Sequence, residues 1–178
     1  MSTPRSTSFH LIREALPEEY EAVGQLTWEG FGYHLPGSRL PGEGRRASLI
    51  NAGVRARQGV LLVAEDLETG QLVGTASVLP SGAELNEQAK EGESELKMLA
   101  VLPQARRSGL GSRLLDEAVR VARSKGALRL VLDTAVDNKS SHVFYIKYGF
   151  VRRTDRERKR PAPEVQLAVF ALDIASSN

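Results

Sequence analysis

The run Val101-Leu102-Pro103-Gln104-Ala105-Arg106-Arg107-Ser108-Gly109-Leu110-Gly111 constrains this 178-residue chain more than any other. Upstream, Glu95 to Leu102 reads as a strand that stops at Pro103. Downstream, Leu110, Leu114, Leu115, Ala118, Val119 and Ala122 fall on one stripe of a helix. A strand must therefore become a helix within a few small residues. Glycines let backbone pass close to a ligand, and the first helical N–H groups have no partner in the helix. Their partial positive charge, with Arg106 and Arg107, suits a pyrophosphate. A tight connection carrying two solvated arginines accounts for the same residues. A P-loop is excluded, because no lysine and hydroxyl follow the last glycine. The three-glycine dinucleotide pattern also fails, since Arg113 or Leu114 stands where the third glycine belongs.

The rest of the chain is arranged around that turn. Phe9 to Arg13 alternates as a first strand. Pro17-Glu18-Glu19 suits a helix start, and Tyr20, Val23, Leu26 and Phe31 follow near helical spacing. Glycines and prolines from Gly32 to Gly44 mark a loop, and residues 45–57 read as a second short helix. Val60 to Glu65 and Gln71 to Leu79 form a hairpin across Asp66 to Gly70. Ser81 to Gly92 is polar and acidic. Gly126 closes the long helix, Leu128 to Asp133 is a strand, and Asn138 to Tyr148 a short helix. Phe150 to Arg153 begins a strand, a basic loop runs to Pro163, and Val165 to Leu172 is the last strand. The predicted order is βααβββαβαββ, a mixed α+β or α/β pattern around one sheet. The expected divisions are an N-terminal tail over 1–8, one domain over 9–172 and a C-terminal tail over 173–178.

Composition removes whole classes of function. Hydrophobic residues at 41 % and charged residues at 26 % describe an ordinary globular protein. The absence of cysteine excludes disulfides, a thiolate nucleophile and thiolate metal ligands. His10, His34 and His142 are too scattered for a metal site, so no metal is expected. Met1 to Ser8 lacks the apolar core of a signal peptide. No run approaches the roughly 20 apolar residues that span a bilayer. A net charge of +2 is too small to imply nucleic acid. A soluble, cytoplasmic protein is expected.

Arg106-x-x-Gly109-x-Gly111, behind a strand ending in Val101-x-Pro103, resembles the signature of the GNAT superfamily of acyl-CoA-dependent N-acyltransferases. Asn138-x-x-Ser141-x-x-Phe144-Tyr145-x-x-x-Gly149-Phe150 resembles that family's next segment at the expected distance. The likeness covers about residues 9–172, with its residue-level motifs between about 93 and 150. It implies a single domain with a central, twisted, mostly antiparallel sheet and helices on both faces. It implies acetyl-CoA as acyl donor and a primary amine as acceptor. The pyrophosphate would lie over the turn Arg106, Arg107, Ser108, Gly109, Leu110, Gly111 and Ser112. The pantetheine arm would pair with the preceding strand's edge. A backbone N–H near Leu99, Ala100 and Val101 would meet the thioester oxygen. Asn138 and Ser141 would contact the CoA arm. Ser141 stands where the family often has a small apolar residue.

Tyr145 is the candidate general acid. Phenol and thiol have reference pKa values near 10 and 8.5, so Tyr145 could protonate the departing thiolate. Packing under the sheet explains Phe144 and Tyr148. Freeing a lysine-like amine at pH 7 costs about 4.6 kcal/mol, against about 1 kcal/mol for an α-amine. A carboxylate base is thus more useful to the former. Glu95 opens the strand facing the acyl site, where the family often carries such a group. Glu93 shares its face if the strand runs that far, although both also fit an acidic solvated stretch. Trp28, Phe31, Tyr33 and His34 could line the acceptor groove that the resemblance places beside the first helical region.

Arg152, Arg153, Arg156, Arg158, Lys159 and Arg160 face only Asp155 and Glu157 in sequence, a local +4. Such a loop could attract an acidic acceptor or RNA, or simply remain solvated. No interleaved aromatics support nucleic-acid stacking. The reading that follows is direct transfer in a ternary complex, to a small-molecule amine before a protein amine. Protein N-terminal or lysine acetylation is the alternative. A non-catalytic acyl-CoA sensor would need neither Tyr145 nor Glu95. Pairing into a homodimer stays open.

Overall fold

Period-two runs and one long amphipathic stripe make the frame. In the computed structural model, which describes residues 9–161 and 163–175, strand β1 (His10–Glu14) and a 3-10 turn lead into α1 (Tyr20–Gly30), α2 (Glu43–Ile50) and α3 (Ala52–Gln58). Strands β2 (Val60–Asp66), β3 (Leu72–Pro80) and β4 (Glu93–Val101) follow, then α4 (Leu110–Ser124), β5 (Arg129–Ala135) and α5 (Lys139–Tyr148). The chain ends in β6 (Val151–Arg152), β7 (Arg158–Arg160) and β8 (Val165–Asp173). The sheet runs β1-β2-β3-β4-β5-β8-β6, with β7 also on β8. Every pairing is antiparallel except β4 with β5. The fold is the expected mixed α/β arrangement around one mostly antiparallel sheet.

Alternation along β2 decides which helix covers which face. Leu61 and Val63 pack with Val23 of α1 and Ala52 of α3, while Leu62 and Ala64 face the opposite cluster. That cluster takes Leu110, Leu114, Leu115, Ala118, Val119 and Ala122 of α4, the stripe seen in the sequence. Burying each such leucine contributes about 1.5–3 kcal/mol.

Three expectations shift. The single helix over 45–57 is two helices, because Asn51 leaves helical geometry (φ −83°, ψ 72°) and its side chain accepts the Val54 N–H at 3.3 Å. The basic loop contains β7, in which Arg158, Lys159 and Arg160 pair with Leu167, Gln166 and Val165. The body also passes residue 172, since β8 runs to Asp173 and Ile174 is buried in the core. The tails expected over 1–8 and at 176–178 lie outside the described residues.

One buried cation ties the α1–α3 layer to the sheet. Arg55 on α3 is fully buried. It donates to Thr27 Oγ1 of α1 (3.2 Å), Leu49 O of α2 (2.9 Å) and Ser77 Oγ of β3 (3.0 Å), and to Ser48 O. Burial lowers its pKa to about 10, so it stays charged at neutral pH. The same layer is packed at backbone distance: a Cβ added to Gly24 would stand 1.9 Å from Ile50 O. Gly24→Ala must therefore push α1 off α2. A loss of about 1–3 kcal/mol is expected, read as a melting temperature roughly 3–12 °C lower. An unchanged melting temperature would show that α2 can move freely.

Candidate active site

β4 and β5 pair over three residues only, Glu93–Glu95 against Arg129–Val131. β5 then gives its other edge to β8 along its whole length, and β4 stays with β3. Between Ser77–Lys97 and Thr75–Ala100 the register slips, so Met98 and Leu99 together oppose Ala76. Met98 adopts φ 55°, a left-handed backbone that bends the strand there. From Leu96 onward the edge of β4 toward β5 has no strand partner among the described residues. A cavity of about 810 Å³ opens in the gap, with Leu96–Leu99 on one side and Leu132–Asn138 on the other.

Beyond the end of β4 the chain makes the turn into α4. Arg107 (φ 60°) and Gly109 (φ 80°) are both left-handed, a geometry that turns successive amides to one side. The first bond into α4 runs from Arg113 N to Gly109 O at 3.1 Å. The N–H groups of Leu110, Gly111 and Ser112 accordingly have no backbone acceptor among the described residues. No acidic side chain occurs from Arg106 to Ser112, so the turn fits an anion such as a CoA pyrophosphate. Arg107, Ser108 and Ser112 are exposed. Arg106 is engaged, donating to Val101 O (3.0 Å) and to Gly30 O (2.8 Å), which pins the end of α1 to the end of β4. Leu99 lines the cavity, while Ala100 is buried against Leu26.

The second motif supplies the opposite wall. Asn138 caps α5, its Oδ1 accepting the Ser141 N–H at 3.4 Å, and Asn138, Ser141 and Tyr145 all line the cavity. The Tyr145 ring is held edge-on by Phe144 (5.2 Å) and Phe150 (5.5 Å). Burial, and then the charge of Asp133, raise its pKa and keep the phenol protonated. Tyr33 and Phe31 line the mouth of the cavity. Trp28 stacks behind Tyr33 at 5.0 Å, and His34 is exposed; neither lines the cavity.

The floor is ionic, and most of it was not singled out in the sequence. Glu87, Glu95 and Asp133 bring carboxylate oxygens within 4.8 Å of one another. Glu87 and Asp133 line the cavity, whereas Glu95 is 1 % exposed beneath it. Glu95 Oε2 accepts the N–H groups of Glu87 (2.6 Å) and Gln88 (3.2 Å), and Oε1 lies 3.6 Å from Lys97 Nζ. Burial raises its pKa to about 7, against the pull of Lys97. Lys97, Arg158 and Arg160 balance the three acids. Glu93 is occupied by Arg156 (3.0 Å) and Arg129 (3.3 Å), and desolvation is outweighed there so that its pKa falls. The basic segment is therefore largely paired, with Arg152 on Glu157 (2.6 Å) and Arg153 on Asp155 (2.9 Å). Two signals could have found the floor. Lys97 repeats the period-two face of Glu93 and Glu95, and Asp133 ends the apolar run Leu130–Leu132 of β5.

The acetyltransferase (GNAT) family matches residues 19–150, well over half of the chain. An N-acetyltransferase of Bacillus subtilis (strain 168), YhfO, is 27 % identical over 143 residues, covering 80 % of this chain and 91 % of YhfO. Among solved structures, a GNAT-family acetyltransferase from Staphylococcus aureus Mu50 superposes with TM-score 0.70 at 16 % identity, covering 94 % of this chain and 100 % of that one. The structure of yncA from Salmonella typhimurium with its cofactor acetyl-CoA does so with TM-score 0.66 at 20 % identity, covering 96 % and 97 %. Among the described residues no helix is long and apolar enough to cross a membrane. The protein belongs to the GNAT acetyltransferase family and is an acyl-CoA-dependent N-acetyltransferase.

Proposed function

We propose that the protein transfers an acetyl group from acetyl-CoA to the primary amine of a small molecule, by direct attack within a ternary complex. The observation that carries this reading is the gap between β4 and β5, which joins a strand edge without partner to the phenol of Tyr145. The unpartnered amides at the start of α4 would hold the pyrophosphate. The free edge of β4 past Leu96 would take the pantetheine arm as an added strand. An N–H of that edge near Leu99 would meet the thioester oxygen as negative charge develops.

The amine nitrogen forms a bond to the carbonyl carbon, the C–S bond breaks, and the nitrogen's surplus proton ends on the thiol. Tyr145 is placed to hydrogen-bond the departing sulfur. Its raised pKa makes full transfer to a thiolate of pKa near 8.5 uphill. The phenol works by donating a hydrogen bond as charge builds. On the acceptor side, Glu95 is the carboxyl whose pKa suits proton uptake near neutrality. One of its oxygens lies within 4.8 Å of oxygens of Glu87 and Asp133, which line the groove. The mouth favours a small acceptor, because Arg39 Nη2 reaches Glu164 O at 3.5 Å and joins the loop after α1 to the turn before β8.

Acetyl-CoA and CoA at 100 times their dissociation constants should stabilise the fold by about 2.7 kcal/mol, a rise of roughly 5–10 °C. ATP and NADH should give none, and Gly111→Val should weaken the CoA effect by crowding the bare amides. A flat response to acetyl-CoA would sink the reading. Tyr145→Phe should lower kcat about 10²-fold or more with the acetyl-CoA shift retained; equal turnover would remove Tyr145 from the chemistry.

Glu95→Gln tests the base. Activity of the parent should rise with pH through about 7, and that limb should disappear in the variant. Stability moves the other way. A carboxyl raised from 4.5 to about 7 stabilises the fold below pH 4.5 and loses that contribution as pH climbs to 7. The melting temperature of Glu95→Gln should thus gain on the parent between pH 4.5 and 7.5, by a few degrees. A pH-independent difference would show that Glu95 stays ionised throughout.

A further inference from the structure

The wall of the cavity carries both signs in equal number. Five basic and five acidic side chains line it. A groove selecting a polyamine would be acidic, and one selecting a nucleic acid would be basic. Balanced charge suits a molecule that itself carries both signs. On this wall Arg158 and Arg160 of β7 face Glu87 and Asp133.

The arginine contacts there are long. Arg158 lies 3.3 Å from Glu87 and 4.0 Å from Asp133, and Arg160 lies 3.3 Å from Asp133 and 3.7 Å from Glu87. The exposed pairs of the same segment stand at 2.6 Å, 2.9 Å and 3.2 Å. Each contact of Arg158 and Arg160 with the cavity acids is longer than these. Arg158 Nε is moreover a buried donor with no acceptor among the described residues. Buried donors of this kind are rare in native proteins, and each calls for a partner. Lys97, at 2.5 Å from Glu87, is the tight partner of the acids, and the two guanidinium groups hold Glu87 and Asp133 more loosely. They sit two residues apart on one strand and so present two planar forks from one face.

We propose that the acceptor is a zwitterionic small molecule, an amine bearing a carboxylate or phosphoryl group, whose anionic end is held by Arg158 and Arg160 while its ammonium end replaces them on Glu87 and Asp133. This rests on the N-acetyltransferase reading of the same groove. It adds what the acceptor must carry besides an amine. The exchange conserves charge on the wall, since each guanidinium that leaves a carboxylate finds an anion and the ammonium takes its place. The ammonium is then delivered beside Glu95, and its proton passes to that carboxylate before attack.

The test measures CoA thiol release from acetyl-CoA with matched amines: short and acidic L-amino acids against their amides, and phosphoethanolamine against ethanolamine. The anionic member of at least one pair should show kcat/KM about tenfold higher or more, the scale of one charge-assisted contact. Which pair responds separates a carboxylate from a phosphoryl acceptor. On that amine Arg158→Gln and Arg160→Gln should each raise KM about tenfold or more, with the acetyl-CoA melting shift intact. Arg158→Lys should recover part of the loss, because it restores charge without the fork. Preference for the neutral amines, no turnover of any anionic amine by a protein that binds acetyl-CoA, or arginine variants within twofold of the parent would each overturn the proposal. Loss of the acetyl-CoA shift in the parent would instead overturn the underlying N-acetyltransferase assignment.

Discussion

The site depends on two parallel strands that part after three residue pairs. If β4 and β5 stayed paired, their backbone groups would satisfy each other and the sheet would be closed where the cavity now lies. Instead β5 is claimed by β8 over seven pairs, Arg129–Asp173 to Ala135–Leu167, and β4 is bent by the Met98–Leu99 bulge against β3. The bend commits a non-glycine residue to a left-handed backbone, which costs on the order of 1 kcal/mol or more. The close packing of β3 and β4 under α1 and α4 holds it there. What results is a strand edge inside a protein body, with donors and acceptors facing a cavity rather than solvent. Such an edge is a template for another extended chain.

The two faces of the sheet contribute differently to that edge. The α4 face is apolar and supplies Tyr145, whose ring is gripped by Phe144, Phe150 and Phe170. The α1–α3 face is held by polar contacts around Arg55, and the acids and bases of the groove floor gather on the same side of β4 as Glu93, Glu95 and Lys97. Arg55 has no carboxylate partner among the described residues and spends its donors on two backbone carbonyls and two hydroxyls. A guanidinium placed this way locks three helices to one strand without adding negative charge near the groove. The charges that face the acids of the floor among the described residues are those of Lys97, Arg158 and Arg160. A water-poor setting with few competing charges is what lifts the Glu95 carboxyl to about 7.

Much of the frame was legible because it rests on local rules. The hairpin of β2 and β3, the α4 stripe and the glycine turn each follow from neighbours in sequence, and all stand where the residues place them. Asn51 broke a predicted helix through a cap whose register needed the structure to show it. Lys159 and its two flanking arginines read as a solvated loop because a strand of three charges has no apolar face. Only pairing with Val165 to Leu167 reveals it. The donor side of the site was legible for the same reason as the frame, since turn amides and strand edges are backbone features with short sequence signatures. Glu87, Asp133 and the Arg158–Arg160 pair come from three separate segments, and no spacing relates the three.

That contrast explains why the acceptor was hidden while the donor was not. The proposed donor contacts are largely made by backbone, so they demand glycines and a strand break at fixed spacing, and a reader of sequence finds them. Acceptor contacts are made by side chains that meet only after β7 folds onto β8 and the 81–92 segment is fastened by Glu95 to β4. The carboxyl that fastens the segment also holds Glu87 against the floor, through the Glu87 N–H. Charge on Glu95 strengthens that hydrogen bond and at the same time adds a third anion beside Glu87 and Asp133. Proton uptake by Glu95 therefore relaxes the crowding of acids while weakening its grip on the segment. A group in this position couples the charge of the floor to the order of the wall, which a carboxylate lying free in the groove could not do.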